Sequence, residues 1–112
     1  MHPLAQPLVE HYESIAALCH RFGVERLEVF GSAANGQFDP LRSDFDFIVR
    51  FAPEFEASIA DNYIGLCDAL EALLERPVDV MTDRPIANPF FRRAVDSSRR
   101  VLYVRAPEQT PA

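Results

Sequence analysis

Apolar residues return along this chain at two different periods, and the switching between them outlines the fold. Leu8, Tyr12, Ile15, Leu18 or Cys19, and Phe22 recur at helical spacing, and Gly23 follows as a natural stop, which predicts one opening helix. Arg26 to Phe30 is a short apolar run that predicts a first strand ending at Gly31-Ser32. Ala33 to Gly36 has room for one helical turn, Asp39-Pro40 carries turn chemistry, and Ser43 to Phe51 predicts a second strand. Pro53 then opens the longest predicted helix, with Phe55, Ile59, Tyr63, Leu66, Leu70, Leu73 and Leu74 as its core stripe and Arg76-Pro77 as its end. Val78 to Met81 predicts a third strand. Asn88-Pro89 caps a helix through about Ser98, and Val101 to Val104 predicts a last strand. Residues 1–7 are expected to be a loose lead-in and 106–112 a mobile tail. The order α-β-β-α-β-α-β predicts an α/β (α+β) fold, one domain over 1–112 with a small mixed sheet packed against helices.

Composition narrows the functions open to such a domain. With 112 residues and 48% hydrophobic content, the chain is expected to bury about two-thirds of its unfolded surface. It carries 17 acidic residues against 11 basic ones, every basic residue is Arg, and the net charge is −6. Phosphate contacts dominate the binding of long nucleic acids, so no stable nucleic-acid binding is expected, although a metal-borne nucleotide remains open. Cys19 and Cys67 lack ligand spacing and are expected to be free thiols in the reducing cytoplasm. No signal peptide or apolar run of about 20 residues is present, so no membrane association is expected. His11 and His20 have no partner at ligand spacing and are read as a solvated helix face.

The chemistry concentrates between Val29 and Val49. Asp44 and Asp46 are spaced i, i+2, which on a strand sets both on one face, about 6–7 Å apart, with Ile48 beyond them. Phe45, Phe47 and Val49 take the other face. Adjacent carboxylates repel, and a cation relieves them. The small pair Gly31-Ser32 would let backbone N–H groups approach an anion closely. Either feature alone is common at strand ends. Asp79, embedded between Val78 and Val80, changes the weighing, because a charged side chain is seldom placed there without a partner. Were its strand beside that of Asp46, three carboxylates would converge on Mg²⁺, a cation that prefers oxygen ligands. Arg92, Arg93, Arg99 and Arg100 form a basic cluster that reads either as a solvated helix end or as a partner or phosphate contact.

Taken together, Gly31-Ser32, Asp44-x-Asp46 and Asp79 resemble the nucleotidyltransferase fold of the DNA polymerase beta superfamily, and within it the minimal MNT-type antitoxins. "YIGLCDALEALLERPVDVMT" is similar to the family's helix and third-Asp region, and "NPFFRRAVDSSRRVLYV" to its closing helix and strand. The resemblance implies that Asp44, Asp46 and Asp79 are catalytic and hold Mg²⁺, two ions in all, with Asp79 also helping to deprotonate the acceptor hydroxyl. Gly31 and Ser32 would bind the β and γ phosphates of ATP, with Ser43 and Arg42 as further nucleotide-binding candidates. The partner implied is a small helical HEPN-type toxin, neutralised by AMP transfer to a toxin Tyr, by binding, or by both, as in a type VII-like toxin–antitoxin pair. Two departures stand out. Ala33 to Ser43 makes eleven residues where the family commonly has ten, and Asn35 stands where many relatives carry Arg. Arg42 could replace that charge or be a solvated loop residue. A non-catalytic binding module is the competing expectation, and the net charge counts against a third, RNA tailing.

Overall fold

The computed structural model describes residues 3–106, so the ends of the expected lead-in and tail (1–2 and 107–112) lie outside the described residues. Its elements run α1 (Gln6–Glu10), α2 (Tyr12–Arg21), β1 (Val24–Phe30), α3 (Ser32–Asn35), β2 (Phe45–Phe51), a 3₁₀ helix (Pro53–Ser58), α4 (Ile59–Leu74), β3 (Val78–Thr82), α5 (Pro89–Ser98) and β4 (Arg100–Val104). The four strands form one mixed sheet in the order β3-β2-β1-β4. β1 pairs antiparallel with β2 and β4, whereas β2 and β3 are parallel. A parallel pair needs a long crossover, and the 3₁₀ helix and α4 supply it.

The sheet is covered on both faces, unequally. Leu27, Val29, Phe45, Phe47, Val49, Val80 and Leu102 pack against Leu8, Ile15, Cys19, Leu66, Leu70 and Leu74 of the helices, making the main core. On the opposite face Phe30 and Ile48 meet Val95 of α5, with Met81 and Ile86 beside them. Period-two alternation makes this split: Glu28 and Phe30 of β1, and Asp46 and Ile48 of β2, all turn toward α5.

Four expectations need correction. The opening helix is broken at His11, because Ala5 is buried and its N–H bonds the Ala33 carbonyl at 2.9 Å, which sets α1 on its own course. Residues 3–7 are therefore tied into the fold, and Tyr12 turns outward at 49% exposure while Ile15 and Cys19 stay buried. The stretch after Pro53 begins as 3₁₀ helix, since the Ala52 N–H bonds the Gly23 carbonyl at 2.9 Å and Phe55 lies against Gly23. A Cβ on Gly23, whose φ is +72°, would come within 2.6 Å of that ring. The second strand starts at Phe45, so Asp44 sits one residue ahead of it in a turn.

Candidate active site

One row of residues crosses the α5 face of the sheet. Parallel pairing sets Asp46 directly opposite Asp79, and antiparallel pairing sets Asp46 opposite Phe30. Asp46 is half-buried, while Asp44 and Asp79 are exposed. Burial, then the Asp79 and Asp44 charges, hold the Asp46 carboxyl above the usual carboxylate range. The repulsion anticipated for acidic neighbours is therefore present across the strands.

Gly31 ends β1 at φ 74°, ψ −151°, a region open essentially to glycine alone. A Cβ there would lie 2.7 Å from Asp46 Oδ2, so only a glycine lets this backbone pass against the carboxylate. The Gly31 N–H donates to Ser98 Oγ at 3.0 Å, while the Gly31 carbonyl accepts the Ala34 and Asn35 N–H groups at 3.0 Å each. Gly31 and Asn35 edge a cavity of about 430 Å³ walled by Phe30, Phe91, Ala94 and Ser98. Ser32 edges a different hollow of about 240 Å³, beside Phe38 and Pro40. The Asn35 Oδ1 accepts the Gln37 N–H at 3.0 Å, closing the turn after α3.

The remaining expected site residues belong to the turn before β2. Ser43 Oγ accepts the Asp39 N–H at 2.9 Å, the Arg42 N–H donates to the Asp39 carbonyl at 3.1 Å, and the Arg42 side chain is exposed. Arg76 fastens this turn to the end of α4. Its guanidinium donates twice to the Ser43 carbonyl, at 3.1 and 2.8 Å, and stands 3.6 Å from Asp44 Oδ1. Arg76 and Ser98 thus steady Asp44 and Gly31. Sequence reasoning missed both, because their partners lie 33 and 67 residues away and no local pattern marks them.

The basic cluster divides. Arg99 donates from Nε and one terminal nitrogen to the two oxygens of Glu28, both at 2.8 Å, and Glu28 is only 3% exposed. Arg99 is therefore a structural clamp between α5 and β1, whereas Arg92 and Arg93 are exposed.

The all-oxygen donor set, with the Asp46 carboxyl raised by burial and by the Asp79 and Asp44 charges, suits a hard divalent cation. Among the described residues no group of three His, Cys, Asp or Glu is arranged to hold an ion, so the expected convergence of Asp44, Asp46 and Asp79 extends only to the Asp46–Asp79 pairing. Nor is any described helix long and apolar enough to cross a membrane.

The profile of the family described as "Nucleotidyltransferase domain" matches residues 12–102. A relative from Methanocaldococcus jannaschii, named as a putative protein adenylyltransferase, is 30% identical over 84 residues, covering 75% of this chain and 80% of its own. A solved structure of a putative minimal nucleotidyltransferase superposes with a TM-score of 0.68 at 33% identity, covering 88% of this chain and 96% of that one. A toxin–antitoxin structure with AMP-PNP gives a TM-score of 0.60 at 22% identity, over 84% of this chain and 73% of that one, a likeness of fold.

Proposed function

This chain belongs to the nucleotidyltransferase domain family and is a nucleotidyltransferase, and from that premise we propose that it moves AMP from ATP onto a hydroxyl of a partner protein. The observation that carries the proposal is the register of Asp46 against Asp79 beside the Gly31 turn. Asp44, Asp46 and Asp79 are assigned as the catalytic carboxylates and as the ligands of Mg²⁺. When bound, the metal neutralises the triphosphate and the charge that builds on the transferring phosphoryl group. Gly31 and Ser32 are assigned to the β and γ phosphates, with Ser43 and Arg42 at the turn that borders them.

In the transfer, the acceptor oxygen bonds to the α-phosphorus as the bond to pyrophosphate breaks. Asp79, the more exposed member of the facing pair, takes the hydroxyl proton. Asp46, held against the Gly31 backbone, fixes where the nucleotide's charge sits. The acceptor we favour is a Tyr of a HEPN-type toxin, which makes the chain the antitoxin of such a pair. The fold likeness to a toxin–antitoxin structure with AMP-PNP supports that choice of partner.

One observation favours a second reading, that of a non-catalytic binder: the Gly31 N–H already donates to Ser98 and is not free for phosphate. Intact-mass analysis separates the two. The purified protein is incubated with ATP, Mg²⁺ and the small protein that co-purifies with it. A gain of one AMP on the partner, absent with Asp44→Asn/Asp46→Asn, is the expected result. A tight complex without any mass change, for all four nucleoside triphosphates, would replace the transferase with the binder.

A further inference from the structure

α5 is weakly covered by its own chain. Val95 is its one buried residue; near its start Phe91 meets the Phe30 ring edge-on at 6.3 Å while staying 45% exposed, and Phe90 stands 82% exposed. A ten-residue helix gains little from propensity alone and is normally held by a packed face. Here polar ties do much of that work: Asn88 Oδ1 caps the Phe90 and Phe91 N–H groups, Ser98 meets Gly31, and Arg99 grips Glu28. Exposed aromatic surface set among charged residues is of the kind that protein interfaces cover.

Charge says what kind of surface it is. Two hollows, of about 480 and 380 Å³, lie along α5 and share Arg92 and Asp96. Arg93 lines the first, and Arg50, Arg84 and Arg99 line the second. Five of the eleven arginines of a chain with net charge −6 thus gather at one place. Facing them are Asp83, bound by Arg50 at 2.6 Å, Asp96, which pairs with Arg92 and Arg99, and the buried Glu28. Positive charge remains in excess along these hollows, and Phe90 stands exposed on the same helix. Arg and aromatic residues are enriched in protein-binding surfaces.

We propose that the outward face of α5, with Phe90 and Arg93 exposed on it and the arginine-lined hollows along it, docks the acceptor protein through an apolar socket with an acidic rim. The inference rests on the reading that the chain acts on a partner protein, and it adds which face and which chemistry select that partner. The placement is suitable, because the inner side of α5 lies over the same sheet face as Asp46 and Asp79. Along β2 that face runs from acid to apolar to basic, at Asp46, Ile48 and Arg50, a span of about 13 Å. A protein seated on α5 could reach the carboxylates with one side chain.

The test uses two synthetic helical peptides, one bearing Glu and Leu faces and a single Tyr, the other with Lys in place of Glu. Fluorescence anisotropy gives their affinities for the full chain, for Arg92→Glu/Arg93→Glu and for Phe90→Ser. All three proteins should melt alike, since none of these side chains is buried. The Glu peptide is expected to bind at least about tenfold tighter than the Lys peptide, and to lose about tenfold in each variant. AMP transfer to free N-acetyl-tyrosinamide should not change in the variants, while transfer to the Glu peptide should fall. Equal binding of the two peptides, or no effect of the variants, overturns the proposal. So does binding of single-stranded RNA, of phosphatidylglycerol vesicles or of a second copy of the chain that the variants abolish in place of peptide binding. Absence of transfer to either acceptor refutes the transferase reading instead, and leaves the anisotropy result to decide the docking surface.

Discussion

Replacing Arg99 by Met removes the clamp between α5 and the sheet and leaves Glu28 buried with little to balance its charge. Both carboxylate oxygens of Glu28 lose a hydrogen bond of 2.8 Å. Breaking one side of a buried pair commonly costs about 3–5 kcal/mol. Arg26 Nε stands 3.3 Å from Glu28 Oε1 and takes up part of the loss, so about 2–3 kcal/mol is expected at neutral pH, or a fall in Tm of roughly 10 °C. The pH dependence has a definite sign. The Arg99 hydrogen bonds, against burial and with the Arg99 and Arg26 charges, hold the Glu28 carboxyl below its usual range in the folded protein. Such a group stabilises the fold above its unfolded pKa, and that stabilisation is lost as pH falls through the folded value. In the variant burial is no longer offset, the carboxyl takes up its proton at higher pH, and stability recovers on acidification. The gap between the two proteins should therefore narrow from about pH 7 to about pH 4, read by urea denaturation at each pH. The double variant Glu28→Leu/Arg99→Met should return to within about 1 kcal/mol of the parent. A loss below about 1 kcal/mol at neutral pH, or one that is the same at both pH values, would refute the clamp.

Asp46→Asn should stabilise the metal-free protein by about 1 kcal/mol at neutral pH, the Coulomb repulsion of charges about 5 Å apart in a largely solvated setting. Because the folded Asp46 carboxyl lies above its usual range, the parent loses stability as pH rises past the unfolded value; urea titrations showing no gain for the variant would contradict this. Gly31→Ala should cost about 1–3 kcal/mol from backbone conformation alone and swing the Asp46 carboxylate away, cutting AMP transfer further than the stability loss explains. A neutral thermal melt would refute the turn geometry. Cys19 is fully buried and its thiol is pushed up to about 12, so thiol reagents should label Cys67 in the native protein and leave Cys19 intact until unfolding; equal labelling rates would count against the core packing.

The strands and the outer bounds of the fold were legible because they rest on local signals. Phe45, Phe47 and Val49 alternate with Asp46 and Ile48, and Asn88-Pro89 caps α5 as its residue types foretell. The strands of Asp46 and Asp79 do lie side by side as anticipated, whereas Asp79, which its apolar neighbours made look buried, is exposed. What could not be read depends on contacts distant in sequence. Nothing near His11 signals a break, which follows from Ala5 bonding to α3. Arg76 reads as a helix terminator, and its grip on the turn before β2 exists only once α4 has returned to the sheet. Likewise, the contact between Gly31 and Asp46 is made by strand pairing, so the glycine's necessity is invisible until Phe30 and Asp46 stand opposite each other.

The unequal covering of the two sheet faces also sets how the molecule opens. The main core joins four helices to all four strands, so its amides should exchange with solvent only on global unfolding. The α5 side hangs on a small apolar cluster and a few polar ties, and can detach as a separate unit at much lower free energy. Since the Gly31 N–H donates to Ser98 on that helix, its deuterium uptake follows the detachment, not the melting of β1. The N–H that we assign to phosphate would thus be released by the same excursion that lifts α5, and a protein docked on α5 would change how often it happens.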